Sequence, residues 1–122
     1  MRTLRDVLDA CATTMEFVNF GGNITPTTRG ATGDTPLHVA CSWGDIEAAR
    51  LLLDAGAEVN AIGDIGRTPL FDALSSENVD LVKALVEAGA DLAHKDEFGD
   101  RALDVAQAVG KRVAILKVLD PK

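Results

Sequence analysis

The chain has 122 residues, a formal net charge of −7 and a hydrophobic content of 47%, which together fit one folded domain and argue against disorder. Only 4% of its residues are aromatic and tyrosine is absent, so the core must consist of aliphatic side chains, which suit helix packing better than a β-sandwich. Between positions 33 and 106 there are fifteen acidic and five basic residues. This excess repels phosphate and argues against nucleic acid and anionic membranes as partners, although it equally serves solubility alone.

The N-terminal segment predicts a helix and no targeting leader. Thr3 and Asp6 have the spacing of a helix start. Apolar side chains follow on one helix face, at Leu4, Val7, Leu8 and Cys11. Asp6 and Asp9 interrupt the apolar run that a signal peptide or a membrane span would need. We therefore expect the protein to be cytoplasmic.

A helix pair is predicted in the next part of the chain. Thr35 can cap the first helix, and Pro36 fits its first position because a backbone donor has no partner there. Gly44 can end this helix in a left-handed conformation. The second helix starts near Asp45 and carries apolar side chains on one face, at Ile46, Ala49, Leu52 and Leu53. Gly56 ends it, and an extended turn follows.

This unit recurs with a period of 33 residues. The segment Gly33–Ala40 is repeated at Gly66–Ala73 and, with more changes, at Gly99–Ala106. A second segment, Leu52–Val59, is repeated at Leu85–Leu92 in the same register. Two segments that share one period indicate a repeat protein whose unit is a helix, a turn, a second helix and a protruding loop.

The repeated unit resembles the ankyrin repeat. The signature Thr-Pro-Leu-His-x-Ala of that family stands at residues 35–40, and its Leu-Leu-x-x-Gly-Ala-x-Val-Asn stretch stands at residues 52–60. The resemblance implies an all-α ankyrin-repeat solenoid in a single domain over 1–122. The expected divisions are a degenerate N-terminal capping repeat at 1–32, repeats at 33–65 and 66–98, and a C-terminal capping repeat at 99–122. A non-ankyrin helical hairpin is the alternative for the first segment.

Two units depart from the family pattern. Phe71 replaces the histidine of the second unit, so the structural hydrogen bond expected of His38 has no equivalent there. Arg101 and Ala102 replace Thr-Pro in the third unit, which removes the threonine cap. We expect a last helix near Lys111 to Leu119, with apolar side chains directed toward the neighbouring repeat at Val113, Ile115, Leu116 and Leu119.

The sequence shows no pattern of catalytic or metal-binding residues. His38 lies in the repeat signature, where the family uses the histidine structurally, and His94 is expected to be a solvated loop residue. Cys11 and Cys41 have no CxxC spacing or histidine cluster near them, so we expect buried free thiols in a reducing compartment. We expect no cofactor, no metal and no enzymatic activity.

The resemblance implies that a partner protein binds the concave surface made by the loop tips and the exposed side of each first helix. Carried over by position, the expected partner-binding residues are Thr32, Asp34, Ser42, Trp43, Asp64, Ile65, Arg67, Ser75, Ser76, Glu97, Phe98 and Asp100. Trp43, Ile65, Arg67 and Phe98 stand out because tryptophan, arginine and large apolar groups dominate binding energies. The alternative for Trp43, Ile65 and Phe98 is that their side chains pack within the fold.

The acidic residues among these positions predict a partner with a basic face. We therefore predict a monomeric protein-binding module that acts as an adaptor or regulator. An alternative is an inhibitor or immunity-type protein that blocks a basic enzyme or toxin, which the small size and acidic surface also suit. An enzyme or small-ligand binder is a remote third alternative.

Overall fold

The computed structural model describes residues 2–76, 78–110 and 113–120. Within these residues the chain forms seven α-helices and no β-strand. In chain order they are α1 (Leu4–Ala12), α2 (Pro36–Ser42), α3 (Ile46–Asp54), α4 (Pro69–Ala73), α5 (Val79–Glu87), α6 (Ala102–Ala108) and α7 (Val113–Leu119). A short 3-10 turn, Asp64–Gly66, lies between α3 and α4. None of the described helices is long and apolar enough to cross a membrane.

The helices stack in two rows. The first row consists of α2, α4 and α6, packed in chain order, and the second row consists of α1, α3, α5 and α7. Each first-row helix also packs against the helix that follows it, so the repeat units are α2–α3, α4–α5 and α6–α7. The core is aliphatic, as the composition predicts, with Leu37, Leu70, Leu81 and Ile115 almost completely buried. This arrangement confirms the predicted all-α solenoid.

The first-row helices begin at equivalent residues but are capped differently. In α2, Nδ1 of His38 accepts the backbone N–H of the N-cap residue at 3.0 Å. In α6, the Asp104 carboxylate accepts the backbone N–H of Arg101 at 2.9 Å, which compensates for the missing threonine. In α4 the equivalent residue is Phe71, whose ring offers no such acceptor. The buried hydroxyl of Thr68, the N-cap residue of α4, makes no hydrogen bond to any described residue.

The loop of each unit ends in a turn closed by the same backbone hydrogen bond, which we call a tip. The tips are residues 30–34, 63–67 and 96–100. In each one the backbone N–H of the first residue donates to the carbonyl of the last, at 2.8, 2.8 and 2.9 Å. The fourth residue is always a glycine with positive φ: Gly33, Gly66 and Gly99. Because only glycine adopts this backbone without strain, the period of the sequence also sets the shape of the tips.

The N-terminal segment contributes one helix, which joins the second row. α1 begins with a capping box in which the side chains of Thr3 and Asp6 bond each other's backbone N–H groups, as their spacing predicts. Its start lies beside that of α3, because the Arg2 guanidinium bonds Asp45 at 2.6 Å and Glu47 at 2.7 Å. α1 therefore packs against α3 as α3 packs against α5. Turns follow it at residues 13–19.

The last described helix, α7, differs in one respect from expectation. Its predicted start at Lys111 lies outside the described residues. Ile115 and Leu119 are buried as predicted, and Leu116 is half-buried. The prediction for Val113 was wrong, because its side chain is 66% exposed. Val113 and Ile115 are two residues apart, so they point to nearly opposite sides of a helix and only one of them can face α5.

Both cysteines are buried free thiols, as predicted. Cys11 lies in α1 and Cys41 in α2, and neither side chain is exposed. Burial raises the pKa of Cys11 to about 11 and raises the pKa of Cys41 further still. Both groups therefore remain uncharged thiols at neutral pH and behave as small apolar side chains of the core.

Candidate functional site

The predicted partner-binding residues all belong to the tips or to the first-row helices and their ends. We call the exposed positions of the three tips and of α2, α4 and α6, with the residues just after each helix, the repeat face. The exposed residues of the predicted set are Thr32, Ser42, Trp43, Asp64, Ser75, Glu97 and Phe98. The half-buried residues are Asp34, Ile65, Arg67, Ser76 and Asp100. No predicted contact residue is buried in the core.

Three large apolar side chains are exposed on the repeat face. Trp43, at the C-terminal end of α2, is 46% exposed, and Phe98, on the third tip, is 71% exposed. Val109, at the end of α6, is 61% exposed. Phe98 thus does not fill a seam between tips, and Trp43 is only partly covered. Apolar groups exposed in this way are available for contact with a partner.

Ile65 is held more tightly than the other predicted contact residues. Its side chain is half-buried, and its carbonyl accepts the backbone N–H of Glu97 on the next tip at 3.0 Å. Its φ of +50° places this β-branched residue in the left-handed region, at a cost of roughly 1–2 kcal/mol. The links between tips compensate for this cost, so Ile65 has a structural role on the repeat face.

Polar bonds connect each tip to the next. The backbone N–H of Asp64 donates to Oδ1 of Asp34 at 2.8 Å. Nε of Arg67 donates to Oδ2 of Asp96 at 3.0 Å, and two backbone N–H groups of the third tip bond the other oxygen of this buried carboxylate. Burial opposes the ionisation of Asp96, but these hydrogen bonds hold its pKa below the usual range. Arg67 is therefore engaged within the fold, although it lies on the repeat face.

The serine hydroxyls of the repeat face donate mainly within their own units, and the Ser75 hydroxyl also lies 3.3 Å from the Ser42 carbonyl oxygen of the preceding unit. The hydroxyls of Ser42, Ser75 and Ser76 each donate to the carbonyl three residues earlier, at 2.7, 2.8 and 2.8 Å. A hydroxyl that donates in this way keeps oxygen lone pairs that can accept a bond. Toward a partner, these three residues therefore act as acceptors.

Glu16 binds the first tip from the segment that follows α1. Its carboxylate accepts the Thr32 hydroxyl and backbone N–H, both at 2.7 Å, and the backbone N–H of Asp34 at 3.2 Å. A Cβ on Gly30 would collide with Glu16, which explains the glycine at that position. Thr32 therefore has a structural partner of its own. No sequence motif identifies Glu16, because the N-terminal segment does not follow the family pattern at that position.

His38 joins the first tip to the second. Because Nδ1 accepts the backbone N–H of Thr35 at 3.0 Å, the ring proton is on Nε2, which donates to the Arg67 carbonyl at 3.0 Å. Burial lowers the pKa of His38, so the ring is neutral. This geometry agrees with the structural role that the resemblance implies.

His94 is not a solvated loop residue, and that prediction was wrong. Its ring is half-buried, and Nε2 lies 2.8 Å from the carbonyl oxygen of Gly66. The ring also meets Phe71 edge-on, with the ring centroids 6.4 Å apart. Phe71 occupies the place of the signature histidine and makes no such bond to the third tip. Instead, His94 in the loop before the third tip bonds the second tip.

The fold brings together three ionisable side chains that are distant in sequence. Ligand atoms of Asp34, His38 and Asp72 lie within 4.8 Å of one another. A metal ion would need a lone pair of His38 Nε2, but that nitrogen carries the ring proton. Burial, and then the nearby Asp34 carboxylate, raise the pKa of Asp72 to about 7. The arrangement therefore favours a carboxyl group that takes up a proton near neutral pH over a metal site.

Asp72 is the residue of this region that the sequence analysis did not identify. It stands where the neighbouring units have Val39 and Val105. Its Oδ2 atom is buried and has no hydrogen-bond partner among the described residues. A charged residue at a position that is apolar in the other two units is a signal that alignment of the repeats could have shown.

The period, the paired rows and the recurring tips agree with the comparison to known families. The family model for ankyrin repeats in three copies matches residues 9–119. The chain belongs to the ankyrin repeat family. Ankyrin repeats are general protein–protein interaction modules. No curated protein sequence matches this ankyrin protein.

Proposed function

We propose that this ankyrin protein is a non-catalytic adaptor or regulator that binds its partner through the repeat face. The observation that carries the proposal is the exposure of Trp43, Phe98 and Val109 on that face. Trp and large apolar side chains provide much of the binding energy when a partner encloses them. Because hydrogen bonds already connect the tips, little conformational entropy is lost on binding.

The charges of the repeat face favour a basic partner. Arg67 is neutralised by Asp96, whereas Asp64 and Glu97 are exposed and Asp100 is half-buried. A surface of one sign steers a partner of opposite sign and weakens as salt screens it. The alternative role, an inhibitor that blocks a basic enzyme or toxin, uses the same surface.

The setting that we propose is a monomer in the cytoplasm. The two thiols are buried and unpaired, which suits a reducing compartment. A rigid stack with an exposed binding face can act without a second copy of itself. Sedimentation of the purified protein tests the monomeric state.

Capture from a native lysate, followed by affinity measurements with the purified partner, tests the proposed function. The wild-type protein is compared with a Trp43→Ala, Phe98→Asp double variant and with Val113→Asp. Val113 is a suitable control because it is as exposed as Phe98 but lies in the second row. We expect the double variant to lose at least about tenfold in affinity, the control to match the wild type, and higher salt to weaken binding.

Each other outcome has a definite meaning. Binding that survives the double variant but is lost in Val113→Asp would move the site to α7 and overturn the proposal. Binding that strengthens with salt would rule out the basic partner face. If the partner is an enzyme, titration of its activity distinguishes an inhibitor from an adaptor.

A further inference from the structure

A groove lies between α4 and α6 on the repeat face. It encloses about 250 Å³ and is lined by Arg67, Phe71, Leu74, Ser75, Val105 and Val109. The Arg67 guanidinium lies 5.4 Å from the centroid of the Phe71 ring and is held there by Asp96. The groove therefore has an apolar floor, and the cation at its rim is already paired.

Asp72 does not line this groove, but it is next in sequence to Phe71, which does. Asp72 precedes Ser75 by about one turn of α4, so the two residues share a helix face, and it is the equivalent of Val105 one unit earlier. Asp72 is half-buried, and its Oδ2 is buried without a hydrogen-bond partner among the described residues, which destabilises a folded protein. The valines of the other units show that the repeat does not need an acid here. A residue that costs stability without a structural return is a candidate for function.

The charges around Asp72 are mostly acidic. The groups whose charges act on Asp72 are Asp34, Asp64, Glu16 and Arg67, and the ionisable groups of α2 beside it are His38 and Cys41. The last two are uncharged at neutral pH, and Arg67 is engaged with Asp96. The site therefore lacks a free positive charge among the described residues.

We propose that the groove and Asp72 together receive a segment of the partner in which a large apolar side chain neighbours a lysine or arginine. The apolar side chain occupies the groove, and the cation pairs with the Asp72 carboxylate. A positively charged donor fits because the half-buried Asp72 carboxylate and the exposed Ser75 oxygen both act as acceptors. This inference rests on the proposed function and adds what the partner must present.

Binding of such a segment is linked to pH. Burial and the Asp34 carboxylate raise the pKa of Asp72 to about 7, so near neutral pH a large fraction of the molecules hold a proton there. A cation pairs with the ionised form and displaces that proton. Affinity for the segment therefore increases as the pH rises through about 7. His38 does not add a charge in this range, because burial lowers its pKa.

Two matched peptides test the inference without knowledge of the partner. The peptides acetyl-Ser-Leu-Arg-Ser-amide and acetyl-Ser-Leu-Glu-Ser-amide are titrated into isotope-labelled protein and followed by NMR at about pH 6 and pH 8. We expect the arginine peptide to shift the signals of Leu74, Ser75 and Val109. At about pH 8, its affinity should be about threefold to tenfold higher than that of the glutamate peptide. In Asp72→Asn, this preference and its pH dependence disappear.

Matched variants show whether the apolar part of the groove takes part. Val109→Ser should weaken binding of the arginine peptide, whereas Val18→Ser should leave it unchanged. Val18 is a valine of similar exposure (53% against 61%) near the other end of the stack. Equal affinity for both peptides, an unchanged preference in Asp72→Asn, or no saturable shift in the groove overturns the inference. If the peptide tests fail in one of these ways but the Trp43→Ala, Phe98→Asp variant loses the partner, the inference is wrong and the proposed function stands.

Discussion

Single buried polar groups account for much of the difference between the three units. The third residue of the first-row helices is His38 in one unit and Asp104 in another, and each of these side chains has hydrogen-bond partners. In α4 the third residue is Phe71, and two buried polar atoms have no hydrogen-bond partner among the described residues: the Thr68 hydroxyl and Oδ2 of Asp72, the fourth residue of the helix. Burial of a polar group without a partner costs free energy that a paired group does not.

Replacement of Asp72 by valine, the residue of the other two units, should stabilise the protein. We expect a gain of about 2 kcal/mol in the free energy of unfolding near pH 8, because a buried carboxylate without a partner is removed. The folded-state pKa of about 7 lies well above the pKa of about 3.8 that a free aspartate has, so the native state binds the extra proton between these pH values. Wild-type stability should therefore fall as the pH rises through this window, relative to the variant.

Urea unfolding at a series of pH values measures this effect. Asp54→Val, at an exposed position of α3, is the control and should change stability by no more than about 0.5 kcal/mol. If the difference between the wild type and Asp72→Val is the same at pH 5 and pH 8, the buried charge is not the cause.

At the scale of elements, the N-terminal segment packs on the first helix pair. α1 covers α3 in the second row, and Glu16 bonds the first tip much as Asp34 bonds the second. Residues 13–19 thus stand in for a preceding tip, although they form only turns. A terminal unit that ends a repeat array commonly departs from the pattern of the internal units. These contacts support our proposal that residues 1–32 are a degenerate capping repeat.

Glu16→Ala should loosen the first tip. The carboxylate accepts three hydrogen bonds there, and their loss should lower the free energy of unfolding by about 1–3 kcal/mol. Hydrogen exchange should become faster at the backbone N–H groups of Thr32 and Asp34, whose acceptor is removed. Glu87→Ala, at an exposed position of α5, serves as the control. Unchanged exchange in the first tip would show that the segment does not hold it.

At the scale of the whole molecule, the units form one continuous core. Buried side chains from α1 to α7 belong to a single cluster, and the tips are joined by bonds in sequence along the stack. A short array of this kind is expected to unfold as one cooperative unit, since each repeat buries its apolar face only against its neighbours.

Ile115→Ala tests this cooperativity from one end of the stack. Ile115 is fully buried in α7, and its truncation should cost about 2–5 kcal/mol. The only tryptophan, Trp43, lies in the first described helix pair, so its fluorescence reports on the opposite end while far-UV circular dichroism reports on all helices. Both denaturation curves should shift together. A shift in circular dichroism alone would show that the repeats unfold separately.

The helices and tips were predictable because their causes are local and recur. Thr35-Pro36 defines a helix start, Gly33 and its equivalents define the tips, and the 33-residue period places them in register. The repeat positions of Trp43 and Phe98 favoured contact with a partner but left open that these side chains pack within the fold, and the structure shows them exposed. These features depend on backbone preferences and on which face of each element is apolar, and both are written in short stretches of sequence.

Only the tertiary structure decided which polar groups meet. The contacts of Glu16 with the first tip and of His94 with Gly66 join residues that no motif connects, and the position of Asp72 beside Asp34 depends on how α4 stacks on α2. The exposure of Val113 likewise depends on which side of α7 faces α5. Burial, proton affinity and hydrogen-bond partners are properties of packed neighbours, so the sequence by itself determined the repeat, and the stacking of its units determined the site.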